Sequence, residues 1–454
     1  MTESNEPMKA APSLAGLATH EQAALPGLGV DVTVALLRRY VYLETQGFLL
    51  LAAYFNSLPE WEVKGAISLH LWQDAEHSAW LRTRITEMRT PPHNLDQVPD
   101  PALCVFVREL GQAANTAEFL TGIYEVLKPA LLASYEALLA AAHPLADHPT
   151  RRLIRFILQE KAEQLDWGRK ALLALAPASE ITTAWESHLR TYLAAAGGVG
   201  GTEPRTTVSP REARTFPFPP PQNPKRDARF TRVWNSRGVV PAPGSPVHER
   251  IWWMMNVRLN EMHVSELIAS VITDWKGQPW AFYHELARHL WDETRHCLLG
   301  EVAFVSQGID FTKIPTHVGF ADYPNMKLEP ADRYAFLWGI EQGLMVKSGK
   351  QAEVALARAG RDELVGMFQD FDWADEVLHA QIGRRWLEQK FGSREAMNAV
   401  YDRVRPPYDH MKEEDLRQSG RDWWPEFYAR YLKDKDPNIG QDIENVPPVA
   451  GSGY

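Results

Sequence analysis

Residues 288–296 read RHLWDETRH, and residues 69–77 read LHLWQDAEH. The two stretches align without gaps, setting Trp72 on Trp291 and His77 on His296. An α-helix turns by about 100° per residue, so His289, Glu293 and His296, at i, i+4 and i+7, face one direction. Further along, WADEVLH places Glu376 and His379 at i and i+3. This half of the chain therefore holds two E-x-x-H pairs, each preceded by an aspartate, Asp292 or Asp375. Two other helices offer isolated glutamates in apolar settings, Glu261 and Glu341.

Working outward, the chain reads as helix on both sides of a proline-rich break. Stretches rich in Ala, Leu and Glu with helical periodicity predict helices over 31–57, 60–89, 101–142 (bent at Pro129), 148–175 and 181–195. Residues 197–246 are dense in Gly and Pro and form a linker, in which Phe216 and Phe218 need somewhere to pack. Helices resume over 247–275, 279–307, 330–359 and 361–391, and one more is expected around RDWWPEFYARYL. The reading is all-α: bundles over 30–196 and 247–392, the linker 197–246, and a C-terminal helical extension and tail over 393–454. The halves repeat at about two hundred residues, with Glu44 set against Glu261 and Glu118 against Glu341, which implies two related domains.

Composition narrows the class. The 454 residues are 45% hydrophobic and 23% charged, as in an ordinary globular protein, and the net charge of −10 comes with interspersed signs. No basic stripe points to nucleic acid. Cys104 and Cys297 lack zinc-ligand or disulfide-scaffold spacing, which fits a reducing compartment. The N-terminus lacks the pattern of a signal peptide, and apolar runs such as FLLLAAYF are too short to span a bilayer, so no membrane partner and a cytoplasmic location are expected.

One Glu from each of two helices plus an E-x-x-H from each of two others, in the order Glu, E-x-x-H, Glu, E-x-x-H, resembles the ligand set of the ferritin-like di-iron carboxylate proteins. The resemblance covers roughly 247–392. It implies two tandem ferritin-like four-helix bundles forming an intramolecular pseudo-dimer. It also implies two iron ions, or an Mn/Fe or Mn/Mn pair, held by Glu261, Glu293, His296, Glu341, Glu376 and His379. DETRH is similar to the DExRH signature of the oxygen-activating branch, which includes bacterial hydrocarbon monooxygenases. By that analogy Asp292 and Asp375 orient ligand histidines and Arg295 holds Asp292, whereas DEVLH lacks the arginine. His289 reads as a neighbour of the ligands or a substrate-pocket group ahead of a ligand. Carboxylates and neutral imidazoles suit iron or manganese better than a thiolate-seeking metal. Carboxylates can also bridge two cations about 3.5–4 Å apart.

The N-terminal half repeats this plan imperfectly. Glu44, Asp74, His77, Glu118 and Glu160 occupy the expected places, but Glu163 or Gln164 stands where the last histidine belongs, and Gln73 replaces Asp292. A degenerate structural repeat is expected there, its site empty or more weakly loaded with metal than that of the second half.

The resemblance favours an oxidase or oxygenase that takes O2, a small organic substrate and an external electron donor. The alternatives are a ferroxidase or other iron-handling protein without organic substrate, and a helical scaffold with vestigial sites. The absence of CxxC pairs counts against a rubrerythrin-style peroxidase. Trp252, Trp253, Trp275, Trp291, Trp338 and Trp373 read as core. Gly339 and Gly343, flanking Glu341, allow either space for a small molecule or close helix packing.

Overall fold

The structure, a computed structural model, describes residues 12–91, 95–176, 179–208, 223–234, 241–242, 244–344, 347–419 and 423–435. Phe216 and Phe218 lie outside the described residues. Those described are helical almost throughout, in keeping with the all-α reading. A parallel pair of two-residue strands, β1 (Arg232–Val233) and β2 (Thr316–His317), fixes one end of the linker region. Among the described residues no helix is long and apolar enough to cross a membrane.

Two compact units emerge, Met1–Phe48 with Gln73–Phe218, and Leu49–Trp72 with Pro219–Tyr454. The turn between the first two long helices, with the helix ends beside it, thus groups with the second unit. Polar anchors explain the grouping: the Asn56 side chain donates to Glu266 O at 3.0 Å, and Trp61 Nε1 to Glu301 Oε2 at 2.6 Å.

The first unit draws on α1 (His20–Ala23), α2 (Val30–Phe55), α3 (Trp61–Glu87), α4 (Pro101–Leu110), α5 (Thr116–Thr121), α6 (Lys128–Ala141), α7 (His148–Leu175) and α8 (Ser179–Ala195). The single helix expected over 101–142 is broken ahead of Pro129. Asn115 caps α5 through its side-chain oxygen, which accepts from Glu118 N at 2.9 Å, as short polar side chains do at helix starts. A π-helical stretch, Gly122–Leu127, then leads into α6, whose first turn tolerates Pro129.

The second unit contains α9 (Val247–Leu259), α10 (Met262–Asp274), α11 (Trp280–Ser306), α12 (Gly319–Lys327), α13 (Pro330–Leu344), α14 (Lys347–Ala359), α15 (Glu363–Phe391), α16 (Arg394–Ser419) and α17 (Trp424–Phe427). Helix α10 packs on α11, α11 on α15, α15 on α13 and α13 on α10, closing a ring of four. Leu267, Ile268, Leu286, Leu290, Tyr334, Leu337 and Leu387 fill this ring and are fully buried.

In this unit α12 lies where the sequence reading expected no helix, and two further features depart from that reading. The helix over 247–275 is interrupted at Asn260 and Glu261, where ψ rises to 0° and −5°. The Asn260 side chain bonds Asn256 O at 3.0 Å and accepts from His317 N at 2.9 Å, offering the backbone an alternative to continued helix. The C-terminal extension begins with the 26-residue α16, which the pair Pro406–Pro407 hides from periodicity. Tertiary contacts outweigh those prolines: Tyr408 is buried against Phe320, Tyr323 and Phe336, and Tyr323 donates to Val404 O at 2.7 Å.

Candidate metal centre

The ring of helices carries Glu261 at the α9–α10 interruption, Glu293 and His296 on α11, Glu341 on α13, and Glu376 and His379 on α15. None of the six is more than 1% exposed. Donor atoms of His289, Glu293, Glu341 and His379 lie within 4.8 Å of one another, as do those of Glu261, Glu293 and His296, and those of His296, Asp372 and Glu376. Glu293 joins two of these groups. Its Oε1 is 3.0 Å from His379 Nδ1 and 3.4 Å from His289 Nε2, while its Oε2 is 3.9 Å from His296 Nδ1. A carboxylate so placed can offer one oxygen to each of two cations.

The donors are largely unspent. Among the described residues, Glu261 Oε2, Glu293 Oε2, His296 Nδ1, Glu341 Oε2, His379 Nδ1 and both carboxyl oxygens of Glu376 are buried without a hydrogen-bond partner. Leaving a buried polar group unsatisfied costs about 1–3 kcal/mol, more for a charge. Burial, reinforced by Glu293, Asp372 and Glu341 and opposed by Lys350, pushes the Glu376 carboxyl up to about 8. Burial likewise raises Glu261, although Arg258 pulls the other way. Buried clusters of His, Glu and Asp in this chain could therefore hold a metal ion.

The outer ring nitrogens of both histidines are spoken for, crosswise. His379 Nε2 donates to Asp292 Oδ2 at 3.3 Å, and His296 Nε2 to Asp375 Oδ2 at 3.1 Å. Each aspartate thus orients the histidine of the other helix. Arg295 Nη2 donates to Asp292 and Asp375 at 2.6 Å each, so one arginine supplies both motifs, including the DEVLH that lacks its own. Arg288, not singled out by the sequence, adds a 2.8 Å contact to Asp292 and lies over the Trp72 ring at 5.2 Å. Burial opposes ionisation of Asp292, but His379 and the two arginines hold its carboxyl far below the usual range.

His289 stands nearer the centre than its sequence reading placed it. Its Nε2 is 3.0 Å from Glu341 Oε1, its ring stacks on His379 at 3.9 Å between centroids, and its Nδ1 faces the Tyr334 hydroxyl at 3.3 Å. Asp372, Arg258 and Lys350 were missed. Asp372 is 3.4 Å from His296 Nδ1, 2.8 Å from Arg258 Nη1 and 3.0 Å from Lys350 Nζ. The signal for it existed: Asp372 precedes Glu376 by four residues, as His289 precedes Glu293. Gly339 serves close packing, because a Cβ there would lie 2.1 Å from the Tyr401 ring, whereas a Cβ at Gly343 meets nothing within 4 Å.

In the first unit Glu44, Asp74 and His77 come together, and all three are buried. Glu160 Oε2 joins them, 2.7 Å from His77 Nε2. Glu118 does not: its Oε2 accepts from Ala114 N at 2.8 Å at the start of α5. Glu163 is exposed on α7 with Gln159 at 3.4 Å. Lys128 and Lys161, absent from the sequence reading, enter the cluster instead, Lys128 Nζ at 2.6 Å and 2.8 Å from the Asp74 oxygens and Lys161 Nζ at 2.7 Å from Glu44 and 2.6 Å from Asp74. Burial draws Lys128 down to about 8 against the pull of Asp74, while Asp74 and Glu44 outweigh burial at Lys161 and raise it. Compared with protein-family models, with curated proteins and with solved structures, the chain shows no match.

Proposed function

We propose that the second unit is a di-metal carboxylate centre of ferritin-like type, and that the protein is an oxidase or oxygenase using O2 to oxidise a small organic substrate. One observation carries the reading: each of Glu261, Glu293, His296, Glu341, Glu376 and His379 keeps at least one buried donor atom that has no hydrogen-bond partner among the described residues. The ring of α10, α11, α15 and α13, with glutamates and E-x-x-H pairs alternating around it, supports the fold part of the proposal. Bound iron, or a manganese-containing pair sharing the same donors, would supply the electrons for O2 reduction, and an external donor would restore them.

The chain's own residues do the rest. Glu293 spans the two donor groups; Asp292 and Asp375 fix the histidine rings so that Nδ1 of each points inward. His289 and Asp372, one turn ahead of each E-x-x-H, are within reach as further ligands on opposite sides. Arg258 and Lys350 offset part of the acidic charge, and near-complete burial keeps bulk water from the donors.

The test is anaerobic loading with ferrous iron followed by exposure to O2. Uptake of O2 coupled to oxidation of an added organic compound supports the proposal. Continuous turnover of ferrous to ferric iron without such a compound selects the ferroxidase alternative. Glu341→Ala and His379→Ala should lose metal while staying helical by circular dichroism, and full metal retention in both would remove the ligand assignment.

A further inference from the structure

We infer that the Glu44–Asp74–His77 cluster of the first unit is closed to metal because two lysine ammonium groups, those of Lys128 and Lys161, already occupy it as built-in cations. Lys128 Nζ is surrounded by three oxygens, both from Asp74 and Gln164 Oε1 at 2.7 Å. Lys161 Nζ links Glu44 Oε2 to Asp74 Oδ1. The remaining Glu44 oxygen accepts from the Tyr135 hydroxyl at 2.8 Å, and Gln164 Nε2 donates to Gln73 Oε1 at 2.9 Å and Asp74 Oδ1 at 3.2 Å. Both lysines, Glu44, Asp74 and Gln164 are at most 2% exposed.

The charge balance separates this cluster from the candidate centre. Two buried carboxylates meet two buried ammonium groups, and none of the atoms of Glu44, Asp74, Lys128, Lys161, Tyr135 or Gln164 is left without a partner. Among the described residues His77 Nδ1 is left without a hydrogen-bond partner, 3.8 Å from Glu44 Oε1. A divalent ion would have to expel both lysines or sit beside two positive charges in a buried site, where like charges repel strongly. Ammonium contacts of 2.6–2.8 Å also hold the carboxylates wider than the roughly 2.0–2.2 Å of a zinc–carboxylate bond. The position that carries histidine in the second unit is filled by Gln164, which serves as a clamp on Lys128.

The inference does not rest on the proposed function, and its test reads the first unit separately. Full-length protein is crystallised with manganous ion and an anomalous difference map is calculated. No peak is expected among Glu44, Asp74 and His77; a peak there overturns the inference. In parallel, the Lys128→Ala/Lys161→Ala double variant and wild type are equilibrated with manganous ion and analysed for metal. The variant should bind at least one ion per chain more than wild type, lost again when His77→Ala is added. Equal metal content would show that the lysines are not what keeps cations out. Should the double variant not fold, Lys128→Gln/Lys161→Gln, which removes both ammonium charges but keeps hydrogen-bonding side chains in their place, carries the same comparison.

Discussion

Arg295 has one nitrogen, Nη2, within 2.6 Å of two aspartates on different helices, and through them it acts on both inward-facing histidines. Loss of an outer hydrogen-bond partner of this kind typically lowers metal affinity by about 10–100-fold. Arg295→Ala should therefore weaken binding of ferrous or manganous ion by at least tenfold in a competitive chelator titration, with helicity unchanged; unaltered affinity would detach Arg295 from the centre. A second residue reports on pH. Burial, opposed by Arg226 and Arg232 and aided by Glu266, pushes the Asp322 carboxyl up to about 6 from an ordinary 3.8. A carboxyl raised in the folded state contributes stability that is fully present below about 4 and lost as pH rises through about 6. Wild type should lose more thermal stability than Asp322→Asn between pH 4 and pH 7 on this account. Parallel melting-temperature curves for the two proteins would contradict it.

At the scale of the helix, α13 shows why two glycines flanking Glu341, Gly339 and Gly343, differ. Gly339 lets α13 approach Tyr401 of α16, where a methyl group would sit 2.1 Å from the ring. Gly339→Ala is expected to destabilise by about 1–3 kcal/mol, the usual range for overpacking. Gly343 is exposed and a Cβ there meets nothing within 4 Å among the described residues, so Gly343→Ala should stabilise by up to about 1 kcal/mol through helix propensity. Urea denaturation of both variants checks the pair, and equal effects would refute the assignment. The ends of the elements were less legible than their middles. Asn115 and Asn260 break helices that periodicity runs straight through, because a side-chain cap competes with the backbone without disturbing the apolar spacing. Helix α16 was missed for the opposite reason: Pro406 and Pro407 predict a stop that aromatic packing overrides.

Across the whole molecule, charge is distributed unequally between the two clusters. In the second unit Glu261, Glu293, Glu341, Asp372 and Glu376 are all buried, with Arg258 and Lys350 as the neighbouring cations. If divalent ions complete this balance, as proposed, binding to the folded chain should stabilise it by about 2.7 kcal/mol at a hundredfold excess over the dissociation constant. Chelator-stripped protein should therefore melt at a lower temperature than protein reloaded with ferrous or manganous ion, and identical melting curves would speak against any tight site. By itself the sequence determined the all-α class and which side chains share a face, because helical periodicity and the i, i+3 and i+4 relations are local geometry. It likewise singled out Glu261, Glu293, His296, Glu341, Glu376 and His379, which the fold buries and brings into neighbouring groups. Only tertiary packing decided what each face meets: the crosswise pairing of Asp292 with His379 and Asp375 with His296, the service of one arginine to both, and the entry of Asp372. In the first unit it put lysines into the Glu44–Asp74 cluster and turned the Glu118 carboxylate to the Ala114 amide instead. Those outcomes depend on how helices far apart in sequence are rotated against one another, and no local spacing encodes that rotation.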